Sequence, residues 1–133
     1  MAAILLDVDG VLHVSGEPIA GGAEAVERLR ELGHRLRFVT NNTTRRRADL
    51  AEDLRRLGVE LADEELQTTP LAAARVLEGR RVLAVTMPAI RDDLGAIELV
   101  GDGADAVLIG GAARSSGYAA RRSYTGAATH ASA

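Results

Sequence analysis

The 133-residue chain has no cysteine, no tryptophan and no lysine, and its aromatic side chains are a single phenylalanine and two tyrosines. Without cysteine, disulfides and thiolate zinc sites are excluded. With only Phe38, Tyr118 and Tyr124 to offer, base-stacking platforms for single-stranded nucleic acid are not expected. The core must come from Leu, Val, Ile and Ala. All 16 basic residues are arginine, which removes lysine as a catalytic group. A net charge of −3 gives no electrostatic reason to expect a nucleic-acid backbone as partner. No apolar run approaches the length of a membrane span. The N-terminus lacks a basic region and its apolar run stops at Asp7, unlike a signal peptide; a soluble cytoplasmic protein is expected. The length is that of one ordinary domain. Contents of 47% apolar and 26% charged residues are those of a globular chain.

What is present centres on Ile4-Leu5-Leu6-Asp7-Val8-Asp9-Gly10-Val11-Leu12. A short apolar run bounded by a turn signal reads as a buried strand, and α/β sheets carry ligand chemistry at the carboxyl ends of their strands. Side chains two apart share a face of an extended chain, so Asp7 and Asp9 can converge on one spot. Two carboxylates so placed repel unless a cation lies between them or one holds a proton. Mg²⁺, a hard ion that prefers oxygen ligands, resolves the conflict. One carboxylate is then free to act as nucleophile and the other to move a proton. Asp and Gly after a strand are also ordinary turn formers, so this pattern alone leaves a plain turn open.

Further along, residues 13–18 form a turn-rich segment, and His13 is read as a flap-side or surface histidine rather than a proton shuttle. Residues 23–32 read as a helix with Ala25, Leu29 and Leu32 on one face, and Gly33 stands where a helix-ending glycine belongs. Leu36-Arg37-Phe38-Val39-Thr40 reads as a second strand, followed by Asn41-Asn42-Thr43-Thr44. Thr43 or Thr44 can cap a helix over residues 45–57, with Leu50, Leu54 and Leu57 inward. Arg45-Arg46-Arg47 reads as a solvated first turn whose charge opposes the helix dipole. Thr69-Pro70 starts another helix. Residues 81–85 and 106–109 read as strands, residues 88–94 as a short helix, and residues 97–100 are ambiguous. Strands alternating with helices predict a parallel, doubly wound α/β sheet with right-handed crossovers.

Read together, Asp7-x-Asp9-Gly10-Val11-Leu12 followed by a helix and a strand ending in Thr40-Asn41-Asn42 resembles the haloacid dehalogenase superfamily, subfamily IIA, over residues 4–112. The resemblance implies an α/β, Rossmann-like parallel sheet. Residues 1–78 would be the N-terminal part of the core and residues 79–112 the start of an α/β cap. Residues 113–133, which hold no acid and no Val, Leu or Ile, form an atypical tail expected to be disordered. The implied activity is a Mg²⁺-dependent phosphatase acting on small phosphate esters or phosphoramidates through an aspartyl-phosphate. By the same resemblance, Asp7 is the nucleophile and Asp9 the general acid-base, both on the metal, Asp9 by its backbone carbonyl. Gly10, Thr40, Asn41 and Asn42 make the phosphate cradle. A hydroxyl and amide donors at the next strand tip suit the three charged oxygens of a phosphoryl group.

The resemblance also implies a lysine and a late acidic pair from strands after the cap. The chain has no lysine, and its last residues depart from the family pattern as a truncated or frame-shifted reading would. Val100-Gly101-Asp102-Gly103-Ala104-Asp105 imitates the acidic pair, but Asp102 and Asp105 are read as turn residues. The alternative function is therefore a non-catalytic, truncated remnant of the same fold. A receiver-type phosphoacceptor domain is disfavoured, because it needs a lysine after a later strand. The expected partner is a small phosphorylated substrate, with no nucleic acid and no membrane. Association into a homo-oligomer is expected if half a sheet leaves an open edge.

Overall fold

In a computed structural model, residues 1–111 are described. Strand β1 (Ala3–Asp7) leads into a short hairpin of β2 (His13–Val14) and β3 (Glu17–Pro18). Helix α1 (Gly22–Glu31), strand β4 (Arg35–Thr40) and helix α2 (Arg47–Arg56) follow. A 3₁₀ turn (Asp63–Glu65), strand β5 (Leu66–Thr68) and helix α3 (Thr69–Val76) complete the first half. The second contains β6 (Arg81–Val85), a 3₁₀ segment (Pro88–Leu94), β7 (Glu98–Leu99) and β8 (Ala106–Ile109). No helix among the described residues is long and apolar enough to cross a membrane.

Two parallel three-stranded sheets form where periodicity alone predicts one. The first has the order β1-β4-β5 and the second β7-β6-β8. The reason lies in β6: it pairs with β7 through Arg81 and Glu98 and with β8 through Val82 and Ala106. Both of its edges are thereby occupied, and it cannot extend the first sheet.

β4 displays the period-two logic most plainly. Leu36, Phe38 and Thr40 are buried while Arg35, Arg37 and Val39 point outward. Phe38 is fully buried, in a cluster with Val8, Leu36, Leu54, Val59 and Leu66. Burying a side chain of that size contributes about 1.5–3 kcal/mol. A separate cluster of Ala74, Val82, Leu94 and Ile97 lies beneath the second sheet.

Helix α1 turns a different face inward from the one expected. Val26 is its buried residue, with Ala23 and Leu29 packed alongside, while Leu32 is 55% exposed and Ala25 is outward. The stripe is i, i+3, and beside it Arg30 meets Glu65, with Nη1 and Nη2 donating to the two carboxylate oxygens at 2.8 and 2.7 Å. That pair ties α1 to the turn before β5. It holds the Glu65 carboxyl below its ordinary range, chiefly through the Arg30 hydrogen bonds and against the cost of burial.

Helix α2 keeps the expected inward stripe around Leu54 but begins at Arg47, and neither Thr43 nor Thr44 caps it. The Asn42 Oδ1 atom takes the amides of Thr44 and Arg45, each at 3.0 Å. This local turn diverts the chain and delays the helix. The composition-based reading of residues 113–133 lies outside the described residues.

Candidate functional site

Because β1 and β4 run parallel in register, their carboxyl ends open on the same rim of the sheet. Asp7 ends β1 opposite Val39, and the Val8 amide continues onto the Val39 carbonyl at 3.2 Å. Thr40 follows at once on β4. Val8 is buried and its neighbours Asp7 and Asp9 are both exposed, so the two carboxylates leave the strand on the solvent side. The Asp7 Oδ1 atom accepts the Val8 amide at 2.9 Å.

Thr40 joins the two strand ends. Its hydroxyl donates to Asp9 Oδ2 at 3.0 Å and accepts the Asn42 amide at 3.1 Å. The residue is only 4% exposed, so a polar atom at the edge of the core is satisfied on both sides. Beyond Asp9 the chain reverses at Gly10, whose φ of 81° favours glycine. The Gly10 amide donates to the His13 carbonyl at 2.8 Å. It serves the turn here, although the resemblance groups Gly10 with the phosphate cradle.

A cleft of 530 Å³ lies between the β2–β3 turn and helix α2. Asp9, His13, Thr40 and Asn42 line one part of it, and Arg45 and Asp53 another. Asp9, Thr40 and Asn42 are thus brought together. Asp7, Gly10 and Asn41 sit on the same strand ends but do not line this cleft. Asp102 is far along the chain in an exposed bend, as expected of a turn residue, and Asp105 Oδ2 accepts the Arg81 amide at 2.9 Å, a tie to the start of β6 from 24 residues away.

His13 sits in the hairpin flap, as read from the sequence, but more buried than a surface histidine. Its side chain is 19% exposed, with Nε2 3.7 Å from Asp9 Oδ1. The signal available was its position four residues after Asp9, but only the hairpin folds it back onto the carboxylate. The arginine run is also less simple than a solvated turn. Arg45 pairs with Asp53 at 2.6 Å, and Arg46 pairs with Asp49 at 2.8 Å and Asp92 at 3.4 Å. The Arg46 hydrogen bonds hold the Asp49 carboxyl below its ordinary range. These carboxylates offset the unfavourable charge at the start of α2.

The donor chemistry at the rim fits Mg²⁺. That ion takes oxygen ligands and is commonly held by one or two carboxylates, with water filling the remaining positions. Asp7 and Asp9 supply two carboxylates from one strand end. Among the described residues no group of three or more His, Asp or Glu side chains gathers as a denser cage.

The family model for haloacid dehalogenase-like hydrolases matches residues 4–99. Human phospholysine phosphohistidine inorganic pyrophosphate phosphatase is 35% identical over 101 residues, covering 71% of this chain and 37% of that protein. Among solved structures, the p-nitrophenyl phosphatase from Archaeoglobus fulgidus aligns with a TM-score of 0.77 at 32% identity, covering 85% of this chain and 46% of that one. The glycerol phosphate phosphatase from Mycobacterium tuberculosis, in complex with magnesium, gives a TM-score of 0.73 at 28% identity, over 85% of this chain and 36% of that one. The chain spans about a third of the length of the curated relatives it matches, 32% for the first of them.

Proposed function

Because the chain belongs to the haloacid dehalogenase-like hydrolase family, we propose that it carries the nucleophile and phosphate-binding parts of a phosphatase for small phosphate esters or phosphoramidates. The observation that carries this reading is the Thr40–Asp9 hydrogen bond of 3.0 Å between the tips of adjacent parallel strands, with Asp7 one register step away. A nucleophile, a proton carrier and a hydroxyl donor at one strand rim are the groups phosphoryl transfer needs. The relatives' names, a phosphatase of P–N and P–O–P substrates and two ester phosphatases, support the substrate class.

In the proposed reaction an Asp7 carboxylate oxygen attacks phosphorus, and the bond to the leaving oxygen or nitrogen breaks. Asp9 gives its proton to the leaving group. A water oxygen then attacks the aspartyl-phosphate, its proton goes to Asp9, and the Asp7–phosphorus link breaks to release inorganic phosphate. The Thr40 hydroxyl and Asn41 hold the phosphoryl oxygens, while Asn42, its amide on Thr40 Oγ1, orients the loop. For this Thr40 turns its donor from Asp9 to the substrate. Mg²⁺ held by the Asp7 carboxylate and the Asp9 backbone carbonyl would supply positive charge against the transferring group. On the same reading residues 1–78 are the N-terminal part of the core and residues 79–112 the start of a cap; the two sheets support this division, although Ala74 of α3 packs into the second apolar cluster.

The test is hydrolysis of p-nitrophenyl phosphate with Mg²⁺ and with EDTA. The expected result is metal-dependent turnover that Asp7→Asn abolishes. Turnover unaffected by chelation or by Asp7→Asn, or no turnover at high protein concentration, would overturn the reading.

A further inference from the structure

The loop that follows Thr40 is anchored from outside its own sheet. Arg46, at the start of α2, makes no side-chain capping bond. The Arg47 amide, one of the donors a helix leaves unmatched at its first turn, is taken by Asp93 Oδ2 at 2.8 Å. Asp93 lies in the Pro88–Leu94 segment, whose Leu94 is part of the second apolar cluster. Just past β8 in the same unit, the Gly111 amide donates to Thr43 Oγ1 at 3.0 Å. The approach requires glycine: a Cβ at position 111 would stand 2.5 Å from Thr44 Cγ2 and 2.9 Å from Thr43 Oγ1. The Arg46–Asp92 pair adds a third link, but Asp92 is 76% exposed and the pair counts for little.

These contacts flank the Thr44 and Arg45 amides and start one residue after Asn42, next to the bonds that shape the site. Asn42 Oδ1 holds the Thr44 and Arg45 amides, the Asn42 amide reaches Thr40 Oγ1, and Thr40 reaches Asp9. We propose that Thr43 and Asp93 are positioning residues for the phosphate site. Through them the β6–β8 unit holds the loop just after Asn42 and again at the first turn of α2, so that Asn42, Thr40 and Asp9 hold one geometry before phosphate arrives. The assignment of phosphate to this loop rests on the phosphatase reading; the clamp itself does not.

The experiment compares the full chain with Thr43→Val, Thr43→Ser and Asp93→Ala. Amide hydrogen exchange is followed by NMR at Thr44 and Arg45, and inorganic phosphate with Mg²⁺ is titrated against the amides of residues 40–42. Thr43→Val and Asp93→Ala should each speed exchange at Thr44 and Arg45 roughly tenfold, the scale of one lost hydrogen bond, and weaken phosphate by a similar factor. Exchange at Leu6 and Phe38 should stay as in the wild type. Thr43→Ser keeps the hydroxyl and should behave as wild type. Unchanged exchange at Thr44 and Arg45 in both variants, or a uniform rise across the first sheet, overturns the clamp while leaving phosphate binding by the wild type intact. No phosphate response in the wild type defeats the phosphatase reading, and the positioning role with it.

Discussion

Thr40→Val keeps the side-chain volume and deletes one hydroxyl, which makes it a clean probe of the link between the strand tips. In the folded protein that hydroxyl donates to Asp9 Oδ2 at 3.0 Å and accepts the Asn42 amide at 3.1 Å. A hydrogen bond to a charged group is worth about 1.5–3 kcal/mol and a neutral one about 1 kcal/mol. The Asp9 side chain is 56% exposed, so water replaces much of what it loses, and the net destabilisation should be about 1–2 kcal/mol. For a chain of this size each kcal/mol moves Tm by about 3–5 °C. The effect on rate should be larger, because removing one preorganised donor typically costs about 10²–10³ in kcat. Thermal melting followed by circular dichroism reads the first quantity, and p-nitrophenyl phosphate hydrolysis well below Tm reads the second. Thr40→Ser should recover most of both. A Thr40→Val protein with unchanged Tm and turnover within about threefold of wild type would refute the reasoning.

Other outcomes follow from the packing and the charges. Phe38→Ala empties the centre of the first cluster, where Phe38 is fully buried, and should cost about 3–5 kcal/mol in urea unfolding. Glu65→Gln should remove one component of acid unfolding. The Arg30 partnership lowers the folded-state carboxyl below its ordinary 4.5, so its stabilisation is present above that value and is lost as pH falls through the depressed folded value. A wild-type minus variant difference in urea stability that is flat across this acidic window would contradict the pairing. Gly10→Ala should cost only about 1–2 kcal/mol from its positive φ, since no atom lies within 4 Å of the added Cβ; chemical denaturation reads it.

The strands and helices whose signals are local were legible in the sequence. β1, β4, β6 and β8 announce themselves by apolar runs or by alternation, and α3 by its Thr-Pro start. Family membership was carried by two short motifs 31 residues apart, the span that the Thr40–Asp9 bond closes. What escaped reading depends on distant partners. β5 has three residues, too few for a period to register. The inward turn of Arg30 on α1 meets Glu65, a carboxylate 35 residues away. The His13 side chain meets Asp9 only because Gly10 turns the chain back. The start of α2 looked like a threonine cap, yet its amide is served by Asp93 from 46 residues away. The division into two sheets, which the family resemblance implied through a separate cap, follows from β6 finding both neighbours downstream, a competition between pairings that periodicity alone does not rank.

The central claim is that the Asp7 carboxylate forms the bond to phosphorus while Asp9 carries the proton. Acid quenching during turnover, borohydride reduction of any acyl phosphate and peptide mass spectrometry test it directly. The account predicts homoserine at position 7 and aspartate at position 9. Homoserine at position 9, or sustained hydrolysis with both positions unmodified, would contradict it.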